Sequence, residues 1–131
     1  VVNLLMDLQE EMDLTLIFIA HDLSIVKHIS TKIMVLYLGN MVELANSNDI
    51  YTKPRHPYTQ ALISAVPIPD PSIEKSKKLI LIEGDLPSPV DPPSGCVFRT
   101  RCQKAQDICA IEKPEFKEVS NNHEVACHFH D

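Results

Sequence analysis

Four cysteines near the end of the chain are of the residue type that binds metals through thiolates. Four thiolates suit an iron–sulfur cluster or a structural zinc ion, and two thiol pairs suit two disulfides. Structural zinc sites usually contain close C-x2-4-C pairs, which this chain lacks, so zinc would require a looser loop. The residues alone therefore leave three alternatives open. The spacing is C-x5-C-x6-C-x17-C, at Cys96, Cys102, Cys109 and Cys127.

Histidines and basic residues lie close to these cysteines in the sequence. His128 and His130 follow Cys127, and either imidazole could replace a thiolate in a zinc site. Cationic groups can offset the negative charge of a thiolate-ligated cluster or lower thiol pKa values. Three cationic residues that could act in this way lie among the first cysteines, namely Arg99, Arg101 and Lys104.

Another candidate, His21, follows an apolar run that predicts a buried strand. Residues 14–20 are continuously apolar and rich in branched side chains, which is typical of a strand covered on both faces in a parallel sheet. Ligands of open α/β sheets bind at the carboxyl ends of parallel strands, where His21 is expected. A loop histidine that hydrogen-bonds a nearby carbonyl is the simpler alternative.

The first half of the chain has the alternating pattern of an α/β protein. Asp22 is suited to cap the helix that follows it, and Gly39-Asn40 predicts a hairpin turn. The sheet is therefore expected to have parallel strands and to end in an antiparallel pair. The predicted elements are a helix at 1–11, a strand at 14–20, a helix at 23–29, and strands at 32–38 and 41–44.

Prolines divide the rest of the chain. Pro57 is expected at the start of a helix over 58–66, and the prolines at 67, 69 and 71 predict an extended connector. We place a domain boundary there, between 1–66 and 67–131. The second part has one predicted strand, at 78–82, and a proline-rich loop at 86–93. It is expected to be irregular and to need a covalent or metal staple.

Bulk composition excludes several classes of protein. Apolar residues make up 44% and charged residues 23%, which predicts a packed core rather than disorder. A net charge of −6 argues against a nucleic-acid binder. No apolar run approaches the roughly 18 residues that cross a bilayer. The first residues resemble neither a signal peptide nor a natural start, so the chain is expected to begin within a domain.

Two segments resemble a known family. The run ending in Ala20-His21-Asp22-Leu23, then a helix and a strand ending in Tyr-Leu-Gly-Asn-Met-Val-Glu at 37–43, resembles the end of an ABC ATPase domain. The string Pro-Arg-His-Pro-Tyr-Thr-Gln-Ala-Leu at 54–62 is similar to a motif of oligopeptide and dipeptide importer ATPases. The resemblance implies that 1–66 is the C-terminal part of an ABC ATPase domain. Residues 67–131 would be the C-terminal extension of peptide importers.

The resemblance implies a role for His21 in ATP hydrolysis. The matching histidine of the family contacts the γ-phosphate of ATP, which is bound with Mg²⁺, and helps to position the attacking water. The only glycines are Gly39, Gly84 and Gly95, so no G-x-x-x-x-G-K-[ST] loop is present. The signature motif and the Walker B acid are absent as well. The chain alone is therefore expected to be inactive as an ATPase.

The resemblance also implies partners, a location and a cofactor. The intact subunit would pair with a second ATP-binding subunit and with transmembrane permease subunits, at the cytoplasmic face of the membrane. Some importer extensions carry a [4Fe-4S] cluster on four cysteines, and residues 94–99 match that context. Stable disulfides are rare in the cytoplasm, which leaves zinc as the runner-up. The alternative function is a non-enzymatic metal-binding or redox-regulatory module that stabilises the dimer.

Overall fold

The computed structural model describes residues 1–130, in which short helices and strands are joined by long irregular segments. The helices are α1 (Val2–Met12), α2 (Leu23–Ile29), α3 (Ser47–Thr52), α4 (Pro57–Ser64), α5 (Pro71–Ser76) and α6 (Asp107–Ile111), with a 3₁₀ turn at Arg99–Arg101. The strands are β1 (Lys32–Tyr37), β2 (Asn40–Asn46), β3 (Lys117–Ser120) and β4 (His123–Val125).

The four strands form one antiparallel sheet in the order β1-β2-β4-β3. Strand β4 pairs with β2, with Glu43 opposite Val125 and Leu44 opposite Glu124. The sheet thus combines two strands that precede residue 66 with two that follow it. The domain boundary after residue 66 stays a prediction. The α/β composition is confirmed, whereas the parallel pairing expected from the sequence is wrong for the described residues.

The predicted hairpin forms one residue earlier than expected. Leu38 and Gly39 occupy the turn with φ of 48° and 74°, and Asn40 already pairs with Tyr37. Two consecutive positive φ values give the turn whose twist matches that of the flanking strands. The Nδ2 of Asn40 donates to the carbonyl of Leu38 at 2.9 Å. The Asn40 side chain therefore stabilises Leu38 in its left-handed conformation.

Residues 14–20 correct the prediction of a buried parallel strand. In the described part of the chain they pair with no strand, and Ile17 and Ile19 are 92% and 91% exposed. An extended segment becomes a strand only where a neighbour accepts and donates its backbone hydrogen bonds. The described sheet ends at β1 without offering these residues a partner. They form an exposed apolar segment instead.

Of four further predictions, some are confirmed and others are not. The helix expected at 58–66 spans Pro57–Ser64, and the cap predicted at Asp22 is confirmed, since its Oδ1 accepts from the Ser24 amide at 2.9 Å. The strand expected at 78–82 is wrong, because those residues have no ladder partner among residues 1–130. The proline-rich connector turns helical at Pro71, where Asp70 provides an N-cap.

The core lies between the sheet, α3, α4 and the cysteine-containing loops. Its large buried side chains include those of Tyr37, Ile50, Phe98 and Val125. Helix α1 contributes no buried residue. Among the described helices, none has the length and apolar character required to span a bilayer.

Candidate functional site

The four cysteines meet at one small cavity, which we call the thiol cavity. Its volume is about 10 Å³. Cys96 precedes the 3₁₀ turn, Cys102 ends it, Cys109 lies on α6, and Cys127 follows β4. All four are free thiols. The residues that line the cavity are Cys96, Cys102, Cys109 and Cys127 together with His56, Pro57, Phe98, Arg99, Lys104, His128 and Phe129.

Gly95 allows two of these cysteine segments to touch. The amide of Cys96 donates to the carbonyl of Cys109 at 2.7 Å. Gly95 has a φ of 64°, and a Cβ on it would lie 2.3 Å from the Cys109 carbonyl oxygen. Any side chain at this position would therefore force the two segments apart. The glycine explains how cysteines separated by twelve residues approach one another.

Polar contacts of Ser94 reinforce the same junction. Its hydroxyl donates to the carbonyl of Ala110 at 2.9 Å. Arg99 donates from Nε to the Ser94 carbonyl at 2.8 Å and from Nη2 to the Ser94 hydroxyl at 3.2 Å. The guanidinium of Arg99 is thus engaged in holding the loop, which gives this basic residue a structural role near the thiols.

Burial favours the protonated form of three of the thiols, those of Cys96, Cys102 and Cys127. Burial raises the pKa of Cys127 to about 11, although its Sγ accepts the Phe129 amide at 3.3 Å. Burial likewise raises the pKa values of Cys96 and Cys102, and the nearby Lys104 lowers that of Cys102 only in part. Lys104 therefore acts on Cys102 in the expected direction, but burial has the larger effect on the pKa of this thiol. A bound metal would have to displace the protons of the three thiols.

The donor set fits a thiolate-ligated cofactor, and its present arrangement is that of free thiols. Four sulfurs line one cavity, which matches the ligand number of a [4Fe-4S] cluster or a tetrahedral zinc. Among residues 1–130, no three cysteine, histidine or carboxylate side chains already stand at metal-binding distances from one another. Ligation would accordingly draw protonated sulfurs into a new arrangement. Binding would release those protons.

Two histidines contact the thiol cavity, and their hydrogen bonds differ. His56 is almost completely buried, and its Nδ1 accepts the Tyr58 amide at 3.0 Å, which caps α4. Burial lowers the pKa of His56 to about 4. His128 instead places its Nε2 at 3.0 Å from the carbonyl of Glu112. Since a carbonyl can only accept, this nitrogen of His128 carries a proton.

An aromatic cluster joins the cysteine loop to the sheet and to α4. Phe98 packs edge-on against Tyr37, with ring centroids 5.1 Å apart, and lies 5.4 Å from the ring of Tyr58. The His56 and Phe98 ring centroids are 5.7 Å apart. The segment at 54–62 therefore lies against the wall of the thiol cavity. Packing of this kind fixes side-chain orientation as well as burying apolar area.

A buried carboxylate holds this segment in place. Glu43 accepts the backbone amide of Arg55 at 2.7 Å and that of His56 at 2.9 Å. His123 Nε2 donates to the same carboxylate from 2.5 Å, and both side chains are buried. Strand β2, the turn before α4 and strand β4 are thus joined at one side chain.

His21 lies away from this network. It is exposed, follows the apolar segment at 14–20, and directly precedes the helix cap Asp22. It is not among the residues that line the thiol cavity. The structure therefore brings the four predicted cysteines together and leaves the predicted ATP-contacting histidine separate from them.

Sequence reasoning missed Glu43 and His123, and it did not assign His56 to a site. Strand alternation places Glu43 on the face opposite Val42, yet both are buried. The register shift between Val35 and Leu36 disturbs the regular pairing, and strand period alone gives no sign of it. His56 had one usable signal, because it directly precedes a proline suited to the first position of a helix.

Comparison with known proteins identifies clear relatives. A family model described as the oligopeptide/dipeptide transporter, C-terminal region, matches residues 42–109. The oligopeptide transport ATP-binding protein OppF of Haemophilus influenzae is 61% identical over 97% of this chain and 38% of its own length. OppF of Escherichia coli is 60% identical over the same shares. The putative oligopeptide transport ATP-binding protein YkfD of Bacillus subtilis is 55% identical over 99% of the chain and 40% of its own length.

Proposed function

This chain belongs to the family of oligopeptide/dipeptide transporter C-terminal regions, and from that membership we propose that it serves in an ATP-binding subunit that energises peptide import. The observation that carries the proposal is the 55–61% identity, over almost the whole chain, to proteins named for oligopeptide transport and ATP binding. The chain spans 38–40% of the length of these relatives. The proposal therefore gives it a part of the work of a longer subunit.

Within that subunit, we assign to His21 the contact with the γ-phosphate of ATP. The imidazole is exposed at the end of the exposed apolar segment, so a nucleotide held by another part of the subunit can reach it. A neutral imidazole can donate a hydrogen bond to a phosphate oxygen and lose it after hydrolysis. Mg²⁺ and the phosphate groups would be held by motifs that this chain does not contain.

The exposed apolar surface supports a larger ATPase body. Residues 14–20 are mostly exposed, and Met34 and Leu36 on β1 are about half exposed. Large apolar side chains exposed in such number are typical of surfaces that another part of a protein covers. Further strands of the ATPase sheet would satisfy both the apolar side chains and the unpaired backbone of this segment.

The proposal extends to partners and location. The intact subunit would form a dimer with a second ATP-binding subunit, identical or related, and would dock on transmembrane permease subunits. It would then be peripheral, at the cytoplasmic face of the cell membrane. The naming of the relatives for oligopeptide transport supports this assembly.

For residues 67–131 we propose the cysteine-containing extension of peptide importers, with a [4Fe-4S] cluster held by the four cysteines. The thiol cavity supports this proposal because it brings together four sulfurs from separate loops. Such a cluster would supply one-electron redox chemistry and a structural cross-link. A zinc ion on the same thiolates, with His128 or His130 as a substitute ligand, is the runner-up and would supply the cross-link alone.

Peptide uptake tests the main proposal. Cells that lack the intact subunit should fail to take up a labelled oligopeptide, and the plasmid-borne gene should restore uptake. Uptake that continues without the subunit would reject the import function. Import that persists when all four cysteines are replaced by serine would assign the extension an accessory role, whereas its loss in a stably folded variant would support coupling.

Elemental analysis tests the cofactor separately. Anaerobically purified subunit should contain iron and acid-labile sulfide in amounts near four per chain, as a [4Fe-4S] cluster requires. Stoichiometric zinc without sulfide would reject the cluster and support the non-enzymatic metal-binding module. A cluster in a subunit that hydrolyses no ATP would favour the redox-regulatory alternative.

A further inference from the structure

The two histidines that line the thiol cavity have opposite hydrogen-bonding roles. The Nδ1 of His56 accepts the Tyr58 amide, so it carries no proton, and a neutral imidazole then has its proton on Nε2. The Nε2 of His128 donates to the Glu112 carbonyl, so a neutral His128 has an unprotonated Nδ1. Of these two lining residues, a neutral His56 therefore has its proton on the nitrogen that does not cap α4, and a neutral His128 has its free lone pair on Nδ1.

The position of His56 is fixed from several sides. Its backbone amide donates to Glu43, its Nδ1 caps α4, and its ring lies 5.7 Å from that of Phe98. The side chain is 1% exposed and lines the cavity together with the four cysteines. These contacts restrict the His56 side chain to few rotamers.

The other polar side chains that line the cavity are less suited to donate to sulfur. Arg99 donates from Nε and Nη2 to Ser94. Lys104 is exposed, and His128 directs its known proton to Glu112. Pro57, Phe98 and Phe129 have no side-chain donor. Among the side chains that line the cavity, His56 is thus the buried donor, in addition to the Phe129 backbone amide that donates to Cys127 Sγ.

We propose that His56 donates its Nε2–H to a sulfur of the thiolate-bound cofactor and thereby sets the reduction potential of that site. The inference rests on the proposed [4Fe-4S] cluster and deepens it. Hydrogen bonds to the sulfurs stabilise the more negative, reduced state and raise the potential of a cluster. His56 would thus be a positioning residue, through which the segment at 54–62 contacts the redox site.

The test compares three anaerobically purified full-length subunits at pH 8: wild type, His56→Asn and His128→Asn. Asparagine at position 56 retains an acceptor for the Tyr58 amide, so α4 keeps its cap while the cavity loses the imidazole donor. Each sample is assayed for iron and sulfide and then titrated with dithionite under electron paramagnetic resonance. His128→Asn controls for removal of an imidazole from the same wall.

The expected result is equal cluster content in all three proteins and a more negative potential for His56→Asn alone. A tenfold change in the reduction equilibrium corresponds to about 59 mV for one electron, which is the size expected. Equal potentials for His56→Asn and wild type would overturn the inference and leave the cluster standing. Wild-type protein without iron and sulfide would overturn the cluster and the inference together.

A second measurement needs no variant at position 56, in case His56→Asn fails to retain its cluster. Subunits labelled with ¹⁵N-histidine, as wild type and as His128→Asn, are reduced and studied by pulsed electron paramagnetic resonance. A weak ¹⁵N coupling that survives in His128→Asn is expected from a hydrogen-bonded His56. Absence of any histidine coupling in both proteins would reject the proposed hydrogen bond.

Discussion

The carboxylate of Glu43 and the imidazole of His123 lie 2.5 Å apart, from Oε1 to Nε2, although eighty residues separate them in sequence. The same carboxylate accepts the amides of Arg55 and His56. One buried acid therefore connects the hairpin, the turn before α4 and the strand that leads to Cys127. This contact makes the geometry of the thiol cavity depend on the sheet.

Replacing Glu43 should destabilise the whole arrangement. Glu43→Ala leaves two buried amides and an imidazole without their acceptor, and we expect the free energy of unfolding to fall by about 3 kcal/mol or more. Urea denaturation measures the change. Glu124→Ala is the matched control, because Glu124 lies on the adjacent strand and is only partly buried. Equal losses for the two variants would contradict the role given to Glu43.

Alanine substitutions at two glycines distinguish the cost of backbone strain from the cost of a steric clash. Both Gly39 and Gly95 have positive φ, but a Cβ on Gly39 meets no atom within 4 Å, whereas one on Gly95 would overlap the Cys109 carbonyl. Gly39→Ala should cost about 1 kcal/mol of unfolding free energy from conformation alone. Gly95→Ala should cost at least about 2 kcal/mol more and reduce iron content. Similar costs for both variants would show that the contact between Cys96 and Cys109 is unimportant.

Acid should weaken the fold partly through His56. Because the folded pKa of about 4 lies below the ordinary value of 6.5, the unfolded chain binds the proton more readily. The stability contributed by neutral His56 is complete above pH 6.5 and is lost as pH falls through 4. The corresponding free energy is roughly 3 kcal/mol. Unfolding measured from pH 7 to pH 4 should show a shallower decline for His56→Asn, and identical slopes would contradict this origin.

The exposed apolar segment should tolerate charge in the isolated chain. Ile17 is 92% exposed, so Ile17→Asp should change the unfolding free energy by less than about 0.5 kcal/mol and should reduce self-association. Ile50 is 1% exposed, and Ile50→Ala should cost about 2–5 kcal/mol. In the intact subunit, Ile17→Asp should become strongly destabilising. Calorimetry of both forms provides the comparison, and a neutral effect in the intact subunit would contradict its burial there.

Local patterns predicted much of the fold. The helical periodicity before Met12, the cap at Asp22 and the hairpin near Gly39 depend on nearby residues, and each is observed. The apolar run at 14–20 has the composition of a buried strand, but a strand also requires neighbours that composition does not supply. Its exposure could not be read from the run itself.

The sequence predicted the candidate ligands of the site, the four cysteines, but not the residues that position them. Cysteine count and spacing identified all four thiols, but the folding of β4 against β2 is what brings Cys127 to the others. The burial of Glu43 depends on a shifted register, and the orientation of His56 depends on a cap that involves an uncommon residue type. Such features arise from contacts between distant segments, which local propensities do not encode.

We propose that this chain provides the ATP-contacting histidine of a peptide-importing subunit, and ATP hydrolysis by the assembled importer measures that role. The intact subunit, with its permease partners in liposomes, should lose at least about 100-fold of its peptide-stimulated ATPase activity on His21→Ala and still bind ATP. His28→Ala, at an exposed position on α2, should hydrolyse ATP at the wild-type rate. Wild-type hydrolysis by His21→Ala, or His21-dependent hydrolysis by the isolated chain, would contradict the account.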